Sequence, residues 1–570
     1  MRLFGGGQAE SLLSRLNIDK SLPIEHGILG RLVESAQMRV EGANFDVREH
    51  LLEYDDVLNA QRKRIYEQRD RIFDKEDLRE DVTEMLRTEV SRRVQKGVQD
   101  EEGLWKLLAY LDGIQPAIDQ VGVFHPSFAL QVMMDEIGKP ATVEALQNRL
   151  IDIAEESLEV WYEHVLDVAE ASIRKEELGF ENLLAEKLDS FHAYLDGLDF
   201  DEQRQVKDIK AELDELIHVP LRLTDAVVEG LYAGSQKTID GVTAQIRNTL
   251  MQISIRRLIR NFERQLVDNW NLKAAELSDQ SWDQIHALLL ERFADTLDRR
   301  RAYVLGSNGE IQSDLKANQE LLTAALENPA ALMRTLILLT QGRMIAFDDR
   351  THQPVTKGVV RLRYHFKAAQ YLADLPPDTL EQRIIRHLET AQDKLAEILG
   401  VGETMRLYNS GLTLGDLSAD WQDRFSAELG SESYRAIQTL PLDQLPGHVQ
   451  KAVHDTLGKF AQNQLYRQIL LSRISELWVD YLTRMEALRV SVRMEAYGQR
   501  DPLVIYKNQA TEMFSGLLSD IRVGVTERIF RIRLASRETV KAAQTAPQSA
   551  ETQPASSGSK KRKKKSRKRH

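Results

Sequence analysis

The sequence predicts a mainly α fold, and three observations carry that reading. A heptad-spaced apolar seam lies near the N-terminus, helix-patterned segments fill a long middle, and two amphipathic stripes meet at a short turn near the C-terminus. The seam runs through Val47, Leu51, Tyr54, Leu58, Gln61, Ile65, Gln68 and Ile72, spaced alternately by four and three residues within a helical stretch over 23–74. A helix from Ile24 to Phe73 would be roughly 75 Å long at 1.5 Å per residue, a strut for other elements to pack on. Gly42 marks a candidate kink in it.

From 75 to 455 the chain reads as helices punctuated by Gly and Pro. Ser281 ("SWDQ") and Asp378 ("DTLE") read as capping boxes, and Gly400 reads as the stop of the second of these helices. The exception is Arg343–Tyr364, where apolar alternation flanks a polar, Pro- and Gly-containing turn with Asp348 and Asp349. It is expected to form a small β-hairpin. No fixed-period repeat is visible. Over 456–535, one stripe through Leu457, Phe460, Trp478, Tyr481 and Val492 and another through Val504, Phe514 and Ile521 predict an antiparallel helical hairpin. Its bend, "EAYGQRDP", carries Tyr497, for which two readings stand: folding back onto a helix end, or a contact residue at the tip of a lever.

Residues 536–570 are rich in Ala, Gln, Ser, Thr and Pro and end in "KKRKKKSRKRH", so a disordered tail is expected. Nine of its last eleven residues are Lys or Arg. With the whole chain at -12, the remainder stands near -21, so a basic tail follows an acidic body. Lys560, Lys561, Arg562, Lys563, Lys564 and Lys565 would attract polyanions without selecting among them. Anionic lipid, nucleic acid and plain solubilisation all fit.

Zero cysteine among 570 residues excludes disulfides, thiolate nucleophiles and Cys-ligated metals, and suits a reducing compartment. No GxxxxGK[ST] loop or HExxH motif occurs. His448 and His454 read as surface histidines, and Glu53, Asp55 and Asp56 as a solvated helix face. No signal peptide and no membrane span are read, and the most apolar window is broken by Glu327, Pro329 and Arg334.

Two stretches resemble the SecA family of preprotein translocase ATPases. One is "MRLFGG" with "PIEHGILGRLVESAQMRVEGANFDVREHLLEYDDVLNAQRKRIYEQR" at Pro23–Arg69, and the other is "ISELWVDYLTRMEALRVSVRMEAYGQRDPLVIYKNQATEMFSGLLSDI" at Ile474–Ile521. Together they cover about a fifth of the chain. The resemblance implies a C-terminal portion: 1–22 the end of the second nucleotide-binding domain, 23–74 the long scaffold helix, 75–455 an enlarged helical wing, and 456–535 the scaffold's return and two-helix finger.

It also implies that the finger tip, Tyr497 with Ala496, Gly498 and Gln499, contacts unfolded preprotein at the mouth of a SecY-type channel, on the cytoplasmic, inner face of the bacterial membrane. Against the family's "GYAQKDP"-like turn, the glycine is displaced by two positions. The family's motor, with its ATP and magnesium, lies outside this pattern, so no cofactor is expected in the chain itself and the motor would join in cis or in trans. A truncated gene and a split protein both fit the position of Met1, and a non-enzymatic helical adaptor that lost translocation is the competing class. Anionic lipid remains a candidate partner, whereas nucleic acid is not expected.

Overall fold

A computed structural model describes residues 27–100, 103–197, 206–347, 353–495 and 502–531. Contacts divide it into two compact units: the chain up to Lys394 with Leu470–Phe530, and Leu395–Ile469. The fold is mainly α, as the periodicity predicts.

In the first unit, α1 (Gly27–Asp74) is a single helix of 48 residues, roughly 72 Å long. It passes through Gly42 as one continuous helix. Helices α2 (Arg79–Gln99) and α3 (Gly103–Ile114) follow, then a tight hairpin of β1 (Ile118–Gln120) and β2 (Val123–His125). Its two-residue turn places Val121 at φ 47° and Gly122 at φ 83°, the mirror-image turn that matches strand twist. Sequence periodicity missed this hairpin because three-residue strands carry too little alternation to read.

Helix α4 (Phe128–Ile137) leads to α5 (Val143–Asp196), whose N-cap Thr142 accepts from the Ala145 amide at 3.1 Å. At 54 residues, α5 is the longest helix among the described residues, and five others gather on it. Around it lie α6 (Val206–Ile217), α7 (Asp225–Tyr232), α8 (Gln236–Leu266), α9 (Ala274–Leu277) and α10 (Trp282–Leu305). Their common core includes Phe180, Phe191, Ile255, Phe262 and Phe293, with Phe262 and Phe293 meeting edge to face at 5.2 Å. Ser281 caps α10 in the expected capping box with Gln284.

Helices α11 (Glu310–Ala317), α12 (Gln319–Ala325) and α13 (Pro329–Thr340) then lead into β3 (Gln341–Phe347). This pairs antiparallel with β4 (Pro354–Val360), Gln341 opposite Val360 and Phe347 opposite Pro354, as the alternation predicts. The hairpin ends sooner than expected, because Tyr364 opens α14 (Tyr364–Leu372). Its base is held by Arg361, only 6% exposed, which donates to the C-terminal carbonyls of Leu338 and Leu339 on α13 and pairs with Glu310 and Asp314. A guanidinium there adds charged donors at the negative end of the helix, to the Leu339 carbonyl and to that of Leu338, which also accepts from the Gln341 amide.

Helix α15 (Pro377–Asn409) begins at Pro377, with Asp378 as an acidic residue of its first turn. It runs straight through Gly400, correcting the stop read there. The glycine serves packing instead: a Cβ on Gly400 would stand 2.0 Å from the His454 carbonyl oxygen, and one on Gly458 2.2 Å from that of Ala396. The second unit is thus built on two helix backbones in direct contact. Its core gathers Leu414 from the short 3-10 turn Leu414–Asp416 that follows α15, Phe425 from α16 (Ala419–Leu429), Tyr434 from α17 (Ser431–Ile437), and Val453 and Leu457 from α18 (Gly447–Glu495). Phe460, read as a stripe residue, is 37% exposed and meets Trp421 edge on at 4.7 Å. Helix α19 (Pro502–Thr526) is the last helix among the described residues and belongs to the first unit.

A buried pair, His125 and His387, ties the first unit's small hairpin to α15. His125 Nε2 donates to the His387 carbonyl at 3.2 Å, and His387 Nε2 donates to Gln115 Oε1 at 2.9 Å. Burial lowers His125 to about 4; burial, then the neighbouring His125, lowers His387 to about 3. Both stay neutral when folded, while the unfolded chain takes up protons near pH 6.5. Stability is therefore complete above about pH 6.5 and falls as pH drops towards 4. Urea titrations should show that slope, and His387→Gln should flatten it; an unchanged slope contradicts the assignment. Among glycines, Gly400→Ala should lower stability by roughly 3 kcal/mol through overpacking. Gly42→Ala, with nothing within 4 Å of its new Cβ, should raise it by about 1 kcal/mol. Thermal unfolding of the two variants tests both signs.

Candidate functional site

The site is the joint where α1 meets both arms of the C-terminal hairpin, all within the first unit. The arms run antiparallel: Arg473 Nε donates to the Gly524 carbonyl at 3.2 Å, and further along the Tyr481 ring meets that of Phe514 at 6.0 Å. Helix α1 runs parallel to α19, with Tyr54 against Tyr506 edge to face at 4.7 Å and Gln61 against Ala510. Asp55, on the same helix, reaches Arg489 of α18 at 3.8 Å.

At the centre, Tyr481 donates its hydroxyl to Gln61 Oε1 at 2.7 Å, and Gln61 Nε2 donates to the Ala510 carbonyl at 3.2 Å. All three residues are buried, at 1%, 8% and 0% exposure. Ala510 has no bulk to shield its carbonyl, so a side chain from another helix can reach the backbone there. One glutamine thereby joins three helices, each end of its amide satisfied on a different one. In a dry core that arrangement fixes axial register, since a slip would orphan both ends. Burial, first of all, pushes the Tyr481 hydroxyl up to about 12, so it remains a donor at any ordinary pH. Trp478, stacked on Tyr481 at 5.4 Å, and Phe514 are core residues, as helical spacing suggests. Val504, read as part of the stripe, is 52% exposed instead.

The joint continues into α2 and α3. Glu89 is a carboxylate at 1% exposure that accepts from Arg92 and Arg93, each at 2.6 Å. Burial would push its carboxyl up, but those hydrogen bonds outweigh burial and hold it below the usual range. Arg93 lies 3.4 Å over the Tyr110 ring, and the Tyr110 hydroxyl reaches Thr526 of α19 at 3.4 Å. Where α1 turns into α2, a groove of about 620 Å³ opens among Ile72, Leu78, Met85, Leu470, Ile474 and Ile521.

The other face of α1 was not read from the sequence. Met38, Phe45, Leu52, Tyr66 and Phe73 are exposed by 63, 65, 63, 47 and 57%, and all lie on one every-seventh-residue series, with Asn59 at the remaining position. At 100° per residue such a series drifts only about 20° per heptad, and residues two apart lie 200° apart. Leu52 therefore faces away from Tyr54, and Asn59 away from Gln61. The strut carries its joint on one side and an uncovered apolar row along the other.

Tyr497, Ala496, Gly498 and Gln499 lie outside the described residues, as do Lys560, Lys561, Arg562, Lys563, Lys564 and Lys565, and Asp348 and Asp349 of the β3–β4 turn. The bend they predict is bracketed by the ends of α18 and α19. Glu53 and Asp56 do not assemble an acid-base pair: Asp56 is exposed and Tyr54 between them is buried. Among the described residues no cluster could hold a metal ion, and no helix is long and apolar enough to cross a membrane.

Removing one end of the central network should be costly. Tyr481→Phe, which strands the buried Gln61 Oε1, is expected to destabilise by about 1–3 kcal/mol, and Gln61→Leu by about 1 kcal/mol, because the Tyr481 hydroxyl still reaches the Ala510 carbonyl at 3.4 Å. The double variant should lose less than the sum, with a coupling near 1 kcal/mol in a double-mutant cycle read by urea denaturation. Strict additivity would remove the network from the account.

A profile described as the SecA Wing and Scaffold domain matches residues 23–184 and 181–533. Three relatives called "Protein translocase subunit SecA" are similar over shorter stretches. That of Syntrophus aciditrophicus is 35% identical over 153 residues, 26% of this chain and 17% of the relative. That of Pelotomaculum thermopropionicum is 46% identical over 116 residues, 20% and 13%. That of Carboxydothermus hydrogenoformans is 40% identical over 154 residues, 26% and 17%. The matched parts thus span under a fifth of each relative's length. No solved structure matches the chain. With the profile running from residue 23 to residue 533, the chain belongs to the SecA wing and scaffold family.

Proposed function

We propose that this chain is the mechanical part of a SecA-like preprotein translocase, in which α1 transmits the movement of an ATP-driven motor to the two-helix hairpin. The single observation that carries the reading is the two-sidedness of α1. One face is pinned to both hairpin arms through Gln61, and the other presents Met38, Phe45, Leu52, Tyr66 and Phe73 to solvent. A row that long has no reason to stay uncovered in a working protein. The motor, with its ATP and magnesium, is the partner that would lie on it, in cis or in trans.

In this reading the hairpin is the finger, and Tyr497 at its bend touches unfolded preprotein at a SecY-type channel on the cytoplasmic side of the membrane. A tyrosine suits that role, because a ring grips varied side chains while its hydroxyl bonds to passing backbone. The relatives' shared name, "Protein translocase subunit SecA", supports the class of process. The Gln61 network supports the mechanics, since sliding one helix past the others would break its buried hydrogen bonds.

Two measurements test the proposal. A photo-crosslinker at position 497, with motor and model preprotein supplied, should label the preprotein well above a crosslinker at the exposed wing residue Val168. Equal labelling at the two positions would reject the finger role. Separately, Leu52→Glu with Tyr66→Glu should weaken association with the motor at least tenfold, given roughly 1.5–3 kcal/mol for each large apolar side chain buried. Thermal unfolding of that variant should not change, and undiminished motor binding would reject the apolar row as the docking face.

A further inference from the structure

The wing holds a cavity that the translocase reading does not use. Of about 500 Å³, it lies between the loop after α8 and one flank of α10, lined by Asn269, Trp270, Arg292, Asp295, Asp298 and Arg299. The size suits a small molecule. An apolar one is excluded by the walls, because five of the six lining side chains are polar or charged.

The loop is fixed by its own bonds. Val267 caps α8 in the left-handed conformation, and the Trp270 amide then donates to Glu263 Oε1 at 2.9 Å. The Trp270 ring is anchored against Phe262 and Phe293, and its Nε1 donates at 3.1 Å to the hydroxyl of Thr296, a residue only 2% exposed. With its single N–H spent there, the indole adds only carbon surface to the cavity wall. Arg299 pairs with Asp268 at 3.1 Å, so its charge is cancelled. Asn269 Oδ1 accepts from the Asn271 amide at 3.0 Å, which leaves its Nδ2 group to serve as a donor.

Four groups on the rim remain without a hydrogen bond or ion pair among the described residues: Asn269 Nδ2, the Arg292 guanidinium, and the carboxylates of Asp295 and Asp298. The last three follow one another at three-residue steps along α10, a row roughly 9 Å long. An anion placed there gains Arg292 but faces two bare carboxylates, and a cation gains the carboxylates but faces Arg292. A neutral molecule with many hydroxyls suffers neither repulsion. Each hydroxyl can donate to a carboxylate while accepting from a guanidinium or an amide, and the charged partners make those bonds strong. The C–H face of a sugar ring can then lie on indole carbon.

We infer that this cavity binds a neutral mono- or disaccharide, with Trp270 as its platform and Asn269, Arg292, Asp295 and Asp298 as its hydrogen-bonding rim. The inference rests on the wing alone, so it stands or falls independently of the translocase reading.

The test titrates the full chain with glucose, galactose, mannose, N-acetylglucosamine, maltose and trehalose, read by saturation-transfer NMR, with spermidine and adenosine monophosphate as charged rivals. At least one sugar should bind in the millimolar range or tighter. Arg292→Ala and Asp295→Ala, both at exposed positions, should each weaken that binding about tenfold without moving the thermal unfolding. Trp270→Leu should remove it altogether; should that variant unfold, the two exposed variants still decide. Failure of every sugar to bind overturns the inference, and so does sugar binding that neither exposed variant weakens. Tighter binding of spermidine or adenosine monophosphate than of any sugar, lost in Arg292→Ala or Asp295→Ala, would assign the cavity to a charged ligand and overturn it as well.

Discussion

One buried amide holds the joint together. Gln61 spans from the Tyr481 hydroxyl on α18 to the Ala510 carbonyl on α19, and its own backbone belongs to α1. A hydrophobic seam alone tolerates sliding, because one apolar contact replaces another at similar energy. A polar group with two partners in a dry core does not, since losing either costs its full desolvation. The rest of the joint builds outward from that constraint, through the Tyr54 and Tyr506 rings on one side and the apolar groove near Ile72 on the other. The Glu89, Arg93, Tyr110 and Thr526 chain then carries the same registration into α2 and α3.

The helices were legible in the sequence because their period is long and clean. Tyr54, Gln61 and Ile65 sit on the buried seam where the four-three spacing places them. What the seam concealed was the distinction of Gln61: by spacing it was another core position, and only its polarity signalled a network. The exposed row on the opposite face had a signal too, a large apolar residue at nearly every seventh position. It went unread because attention to the seam assigns all other positions to charge.

Other misreadings have simple causes. Gly400 looked like a helix stop, since glycine after an apolar run commonly is one. The same absence of a side chain permits close backbone approach, and sequence alone does not separate the two uses. Tyr497 illustrates a different boundary: the residue singled out by resemblance lies outside the described residues, while the arms that would aim it are described in detail.

The account turns on α1, α18 and α19 behaving as one body, so that motion imposed on the strut reaches the hairpin undiminished. Native-state hydrogen exchange measures this directly, because amides of a single cooperative unit share one opening free energy. The protected amides over 54–72, 473–492 and 504–525 should exchange with the same free energy and the same denaturant dependence, and Gln61→Leu should lower all three together. Opening of α19 at clearly lower free energy than α1, in the unaltered protein, would contradict the account.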